Sequence, residues 1–96
     1  MVEPYWLYIL QCDNRFYTGI ATDPKRRCAE HLSRGPKAAR FTRSAKSIEM
    51  KYARKIGEKG LALRVEYRIK RLSHAQKEQI TLERPTTRVL LRTVGL

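Results

Sequence analysis

Acidic residues are scarce in this chain of 96 residues, where Asp and Glu together number 9 against 21 Lys and Arg. The formal net charge at pH 7 is therefore +12. This imbalance is uninformative about the fold, but it makes a polyanion the expected partner. Phosphate-bearing ligands are the class that the composition favours.

Long hydrophobic runs are also missing, and no apolar segment approaches the roughly 18 residues that a membrane-spanning helix requires. The opening segment MVEPYWLYILQC carries an acid where a signal peptide has its basic region, and it lacks a small-residue cleavage site. We therefore expect a cytoplasmic protein with no membrane partner.

Cysteine is nearly absent, with Cys12 and Cys28 the only two. They are too few and too far apart to form a zinc site alone, and we expect both to be reduced and buried. The short chain also limits the core, since a domain of this size buries only about 60 to 65% of its unfolded surface. An open site on the surface is therefore expected rather than a large enclosed one.

The turn signals and apolar patterns predict a small single-domain α/β fold in the order β-β-α-β-α-α. The segments PYWLYILQC and RFYTGIA are typical of strands, and Asp13 and Asn14 between them are typical of a β-hairpin turn. A helix follows, with Asp23 as its N-cap, Pro24 at its first position and Gly35 at its end.

The segment IEMKYARKI predicts a third strand, with Ile48, Met50 and Tyr52 on one face. With the hairpin it completes a three-stranded antiparallel sheet flanked by helices. The intervening residues 35–47 lack periodicity and are expected to form a basic loop.

Two helices and a tail are predicted after the third strand. Apolar residues at helical spacing indicate a helix from Leu61 to Leu72. A capping box of Ser73 and Gln76 starts another helix, which runs to about Arg84. The tail, residues 85–96, is expected to be a short extra strand or an arm against the core.

Parity places two tyrosines on one face of the hairpin. If Cys12 pairs with Arg15, then Leu10 faces Tyr17, and Tyr8 lies diagonally from Tyr17 on the same side of the sheet. A cross-strand aromatic pair that serves only the core is the alternative.

The first predicted helix brings a cation and an imidazole together, because Arg27 and His31 are four residues apart. A solvated arginine on the surface is the alternative for Arg27. Gly19, in the strand before this helix, lets the backbone pass close to another element or a ligand, or else marks a bulge.

Glu66 is the only acid between Lys59 and Lys77, and its neighbours in the sequence are basic. An ion pair with an Arg or Lys at helical spacing is one interpretation. A lone carboxylate in a basic surface can also hold one Mg²⁺ beside a phosphate, because magnesium keeps most of its waters and uses one or two carboxylates. The two interpretations are compatible.

These segments together resemble the GIY-YIG nuclease superfamily. They resemble most closely its small stand-alone bacterial members, which are related to the nuclease domain of structure-specific junction endonucleases. The resemblance rests on LYIL, YTG, DPKRRCAEH and LRVEYRIKRL in that order, and it spans about Tyr5 to Ile80. It implies a GIY-YIG-like nuclease domain over residues 1–84, followed by the tail.

The resemblance also implies five catalytic residues, a structural glycine and one divalent cation, Mg²⁺ or Mn²⁺. The matching positions are Tyr8 in the first half-motif, Tyr17 and the structural Gly19 in the second, Arg27 as the catalytic arginine, His31 as the histidine one turn later, and Glu66 as the metal-binding glutamate.

Three positions depart from the family pattern. Trp6 stands where the first half-motif has glycine, and Thr18 replaces the isoleucine of the second. Some members carry an asparagine after the glutamate, whereas no Asn follows Asn14 in this chain. The supporting role of that asparagine is therefore left vacant or filled by another group.

Nucleic-acid contact is predicted for the segment between His31 and Ile48, which contains no acid. A solvated charged loop is the alternative, but the net charge favours phosphate contact. Its cations recur at every third residue and are Arg34, Lys37, Arg40, Arg43 and Lys46.

Two functions are consistent with these features. The first is a metal-dependent endonuclease that hydrolyses phosphodiester bonds in structured or single-stranded DNA, in repair or recombination, with RNA as a second candidate substrate. The other is a basic nucleic-acid-binding module without efficient catalysis, for which the missing asparagine is the main argument. Convergence of the catalytic candidates in one cleft favours the enzyme, and dispersal favours the binding module.

Overall fold

The amino-terminal hairpin forms with the predicted register in the computed structural model, which describes residues 3–33 and 45–96. Strand β1, Tyr5–Cys12, pairs antiparallel with β2, Arg15–Ala21, through partners that include Cys12 with Arg15. Asp13 adopts the left-handed conformation at the turn, with φ of 56°. Its carboxylate accepts hydrogen bonds from the backbone N–H groups of Lys46 and Ser47, which ties the turn to the chain that enters the third strand.

Strand β3, Ile48–Gly57, pairs antiparallel with β1 and completes a sheet of order β2-β1-β3. The prediction that Ile48, Met50 and Tyr52 share one face is wrong. Ile9 pairs with Tyr52 while the next residue of β1 pairs with Met50, so the β3 strand bulges between them. The extra residue turns Met50 and Tyr52 to opposite faces.

Of the four helices within residues 3–33 and 45–96, three were predicted. Helix α1 spans Pro24–Ser33, and the carboxylate of its N-cap residue, Asp23, accepts from the backbone N–H of Arg26. The predicted stop at Gly35 lies outside the described residues. Helix α2, Lys59–Lys70, begins and ends two residues earlier than predicted. Helix α3, His74–Glu83, carries the predicted capping box.

The tail contains a further helix, α4, Thr87–Thr93, so of its two predicted forms the extra strand is wrong and the arm against the core agrees with the structure. The Thr86 hydroxyl accepts from the backbone N–H of Val89 and caps this helix. Leu90 and Val94, one helical turn apart, are buried in the core. Residues four apart lie on the same side of a helix, so Leu90 and Val94 can both face the core.

The sheet separates two layers of buried side chains. On the face that we call the α1 face, Tyr8 and Leu10 pack with Cys12 and with Cys28 of α1. Both thiols are free and buried, as predicted, and burial raises the pKa of each. The opposite, helix-rich face packs against α2, α3 and α4, and its buried cluster consists of Leu7, Ile9, Tyr52, Val65, Ile69, Ile80, Leu90 and Val94.

No helix within residues 3–33 and 45–96 has the length and apolar character needed to cross a membrane.

Candidate active site

Tyr8 and Gly19 face each other across the hairpin and are in close contact. The two residues are register partners, and a Cβ atom built on Gly19 would overlap the hydroxyl and ring of Tyr8. Since φ at Gly19 is not in the left-handed region, glycine is required here by the space that the phenol occupies. The second half-motif ends in glycine because the Tyr8 ring of the first half-motif lies against Gly19.

Three aromatic rings converge on the α1 face. Tyr17 lies diagonally from Tyr8 on the same side of the sheet, as predicted, with 6.4 Å between the ring centroids. The His31 ring lies 5.1 Å from Tyr17, edge to face, and 6.2 Å from Tyr8. Helix α1 therefore brings His31, which the resemblance alone assigned to the site, against both tyrosines.

The Tyr8 hydroxyl lies 3.2 Å from Nε2 of His31, and both residues are buried. Burial raises the pKa of Tyr8 well above its ordinary value, and the charges of Tyr17 and Glu66 act in the same direction. Burial and the nearby Arg27 lower the pKa of His31, although Glu30 opposes them. A neutral phenol beside a neutral imidazole fits both directions, and the tautomer of the His31 ring sets which of the two atoms donates.

Arg27 lies between the buried phenol and solvent. Its charge and its hydrogen bond lower the pKa of Tyr8, in opposition to burial. Its guanidinium also forms a 3.2 Å ion pair with Glu30, one turn along α1, and the side chain remains 28% exposed. The guanidinium is thus fixed in direction yet open to a ligand from solvent.

Glu30 is a site neighbour that the sequence reasoning missed. The i,i+3 spacing from Arg27 in a predicted helix was the available signal. Thr18, by contrast, lies in the same strand as Tyr17 with its side chain on the other face, where it is buried. Its departure from the family pattern therefore affects the core and not the ring cluster.

Glu66 lies on α2, a helix of the helix-rich face. Its charge contributes to the raised pKa of Tyr8, as the smallest of the causes. The side chain is 20% exposed and pairs with Lys70 at 3.5 Å, so the predicted ion pair with a cation four residues on is present.

A single divalent cation fits the donor set around Glu66. Within the described part of the chain, no three His, Cys, Asp or Glu side chains form a cluster that could enclose a metal ion. Magnesium does not need such a cage, because it is commonly held by one or two carboxylates together with water and substrate phosphates. Glu66, a partly exposed carboxylate on α2, is a donor of that kind.

Most of the predicted nucleic-acid-binding cations fall outside the described residues, namely Arg34, Lys37, Arg40 and Arg43. The fifth, Lys46, is exposed at the hairpin end of the sheet, where Asp13 holds its backbone. No contact places Lys46 at the ring cluster.

The site combines a buried phenol and imidazole with a partly exposed guanidinium and a carboxylate. Such a set suits a phosphate ester, which needs cations for its charge and groups that move protons. The chain belongs to the GIY-YIG family: the sequence profile of the GIY-YIG catalytic domain matches residues 4–79. The family is one of nucleases, and the predicted resemblance is confirmed.

Several curated bacterial proteins are similar over nearly the whole chain. UPF0213 protein YhbQ of Salmonella typhimurium is 39% identical over 94 residues, which cover 97% of this chain and 92% of that protein. A UPF0213 protein of Citrobacter koseri is 42% identical over 85% of this chain and 81% of its own. YhbQ of Escherichia coli O8 is 40% identical with the same coverage. No solved structure matches the chain significantly.

Proposed function

We propose that this protein is a metal-dependent endonuclease that hydrolyses phosphodiester bonds in DNA, with a preference for structured or single-stranded substrates. The observation that carries the proposal is the convergence of Tyr8, Tyr17, Arg27 and His31 on one face of the sheet, within reach of the Glu66 charge. A purely structural aromatic pair would not require a partly exposed arginine and a buried histidine beside it.

Arg27 binds the phosphate in this proposal. A guanidinium presents paired donors that match two phosphate oxygens, and its positive charge stabilises the negative charge that grows during cleavage. The ion pair with Glu30 restricts its rotamers before the substrate arrives. Less ordering is then needed at the moment of reaction.

Tyr8 and His31 act as one proton acceptor. The raised pKa of Tyr8 means that free phenolate is negligible at neutral pH, so the hydroxyl alone is a poor base. The lowered pKa of His31 keeps its Nε2 lone pair available. As the attacking water gives its proton to the phenol oxygen, the phenol passes its own proton to Nε2, and Arg27 stabilises the phenol oxygen throughout.

Glu66 holds the divalent cation, Mg²⁺ or Mn²⁺. When bound, such an ion polarises the phosphate and stabilises the leaving oxygen. The ion pair with Lys70 is compatible with this role, because a lysine on the same helix can release the carboxylate while remaining close to the substrate's negative charge.

The net charge of +12 supports a nucleic acid as the substrate. Binding that is driven mainly by this charge recognises the phosphate backbone and the shape of the substrate more than its sequence. Repair or recombination, where branched and single-stranded DNA arises, is the setting that we propose.

One assay tests the proposal. The purified protein is incubated with a panel of duplex, flapped, branched and single-stranded DNA, and matching RNA, with and without Mg²⁺ or Mn²⁺. We expect metal-dependent cleavage of at least one branched or single-stranded DNA. Tight binding to the panel without cleavage of any member would contradict the nuclease and favour the non-catalytic binding module.

A further inference from the structure

Trp6 lies on the α1 face, two residues before Tyr8 in β1. Its register partners are Ala21 in β2 and Lys55 in β3. Alternation along the strand puts its side chain on the same side as Tyr8, about 6.6 Å further along. It is only partly buried and belongs to neither buried cluster. The indole that replaces the glycine of the first half-motif is therefore available at the surface beside the ring cluster.

An open groove of about 590 Å³ begins at this indole. Its volume lies within the range of small-ligand sites. Its apolar lining consists of Trp6, Met50, Ala53 and Pro24. The bulge in β3 contributes to this lining, because it turns Met50 to the α1 face.

Two exposed cations border the groove from the first turn of α1, Lys25 and Arg26. Of the two acids there, Asp23 is engaged as the helix N-cap, with Oδ1 accepting from the backbone N–H of Arg26, and Glu3 is exposed. Trp6 lies two residues from Tyr8 on the same face of β1, so the groove lies next to the ring cluster of the proposed active site.

We propose that this groove binds one unpaired nucleotide of the substrate strand, next to the phosphate that is cleaved, with its base stacked on Trp6 and its phosphate on Lys25 and Arg26. The inference rests on the proposed nuclease function and names the part of the substrate that the site takes. Every base has a π-face, so an indole beside cations binds single strands with little sequence preference. A paired base is already stacked in its helix and cannot occupy the indole without being unpaired.

The fluorescence of Trp6 reports on this site directly, since it is the only tryptophan in the chain. The wild-type protein is titrated without metal with a short oligothymidylate and with the same strand made of abasic deoxyribose units. We expect saturable quenching by the oligothymidylate and, for the abasic strand, little quenching and about tenfold weaker affinity. Equal quenching and equal affinity for the two strands would overturn the proposal.

Variants separate the groove from general electrostatic attraction. The double substitution Lys25→Ala and Arg26→Ala should lower the slope of log affinity against log salt by about 0.7, because the one phosphate that both cations contact is no longer neutralised. The matched control, Arg88→Ala with Arg92→Ala on the exposed surface of α4, removes the same charge and should leave both slope and quenching nearly unchanged. Equal losses in the two double variants would refute a phosphate contact in the groove.

The test distinguishes the groove from the nuclease function. Quenching that depends on bases, in a protein that cleaves nothing in the panel, would leave the nucleotide site standing and refute the nuclease. Cleavage of single-stranded DNA without any change in Trp6 fluorescence would support the nuclease function and refute the nucleotide site.

Discussion

The two faces of one strand, β1, have opposite chemistry. Leu7 and Ile9 point to the helix-rich face, where they are fully buried among apolar side chains. Tyr8, between them in the chain, points to the α1 face and is equally buried, but its hydroxyl meets a histidine and an arginine. Burial alone therefore does not identify the core of this protein: one face holds the fold together and the other arranges polar groups for a ligand.

Each face of the sheet carries a buried tyrosine, and the two hydroxyls have different hydrogen-bond partners. Tyr52, on the helix-rich face, donates a 2.6 Å hydrogen bond to the carbonyl of Pro85 and so anchors the segment that leads into α4. The Tyr8 hydroxyl instead lies 3.2 Å from Nε2 of His31, a group that can itself titrate. The first hydrogen bond ends at a backbone acceptor, whereas the second continues to a titratable ring.

The largest expected effect is at Glu66, which lies on α2 of the helix-rich face and whose charge raises the pKa of Tyr8 on the α1 face. We expect Glu66→Gln to reduce Mg²⁺-dependent cleavage at least about thousandfold, because loss of the ligand removes several kcal/mol of charge stabilisation. Its unfolding free energy should change by less than about 0.5 kcal/mol, and DNA binding should persist or tighten. Single-turnover cleavage, chemical denaturation and fluorescence anisotropy measure the three quantities.

Glu78→Gln, an exposed position on α3, is the matched control and should behave as wild type. A Glu66→Gln protein that cuts at the parental rate would remove Glu66 from the metal site and leave it as the ion-pair partner of Lys70.

The helix-rich face should respond in stability and not in chemistry. Leu90→Ala removes a fully buried side chain of α4 and should lower the unfolding free energy by about 2 to 5 kcal/mol. Leu82→Ala, at a side chain that is 70% exposed, should cost less than about 0.5 kcal/mol. Urea denaturation gives both values. Similar costs for the two leucines would show that α4 is not part of the core.

The paired substitutions Tyr8→Phe and Tyr52→Phe compare the faces with one chemical change. Tyr8→Phe should slow cleavage about a hundredfold, the lower end of the range for a proton-transfer group, because it interrupts the path to His31. Tyr52→Phe should cost about 1 kcal/mol of stability through its lost hydrogen bond and leave the cleavage rate of the folded protein unchanged. Rate constants measured well below the melting temperature test this, and equal rates in the two variants would contradict the assignment.

The titration of His31 should give the α1 face a pH dependence of its own. Because the folded-state pKa of His31 lies below its unfolded value, the unfolded chain binds the proton more readily. The stability associated with the neutral ring is complete above about pH 6.5 and is lost as pH falls through the folded pKa. Denaturation between pH 8 and pH 5 should therefore show a steeper loss for wild type than for His31→Gln.

Arg27 and Tyr8 remain in the His31→Gln protein, and the second histidine, His74, is exposed on α3. The difference between the two curves thus isolates His31. Parallel curves would mean that the ring is not held neutral by its surroundings.

The smallest expected effect concerns residues outside the described ranges. Arg40→Ala with Arg43→Ala should weaken DNA binding modestly and lower the salt slope by about one for each lost phosphate contact. Anisotropy titrations at several salt concentrations measure the slope, with the double variant of Arg88 and Arg92 as control. An unchanged slope would remove the basic segment from the interface.

Local signals predicted most of the fold correctly, and the failures have a common cause. The Asp13 turn, the Asp23 cap and the Ser73 capping box act within a few residues, and all three form as predicted. The bulge in β3 depends on how the strand fits its neighbour, which alternation within one segment cannot reveal.

The tail shows the same limit. TTRVLLRT contains β-branched residues that suit a strand, yet its Thr86 cap and the burial of Leu90 and Val94 make it a helix. Intrinsic preference was overruled by the core that this segment completes.

The sequence by itself determined the basic surface, the hairpin register and the pairing of Arg27 with His31, because each follows from composition or from the fixed periods of strands and helices. Only the tertiary structure decided that Tyr8 rests on Gly19 and meets His31, and that Trp6 opens onto a groove. Those outcomes depend on burial and on distances between segments far apart in the chain, which set the pKa values and the space left for a ligand.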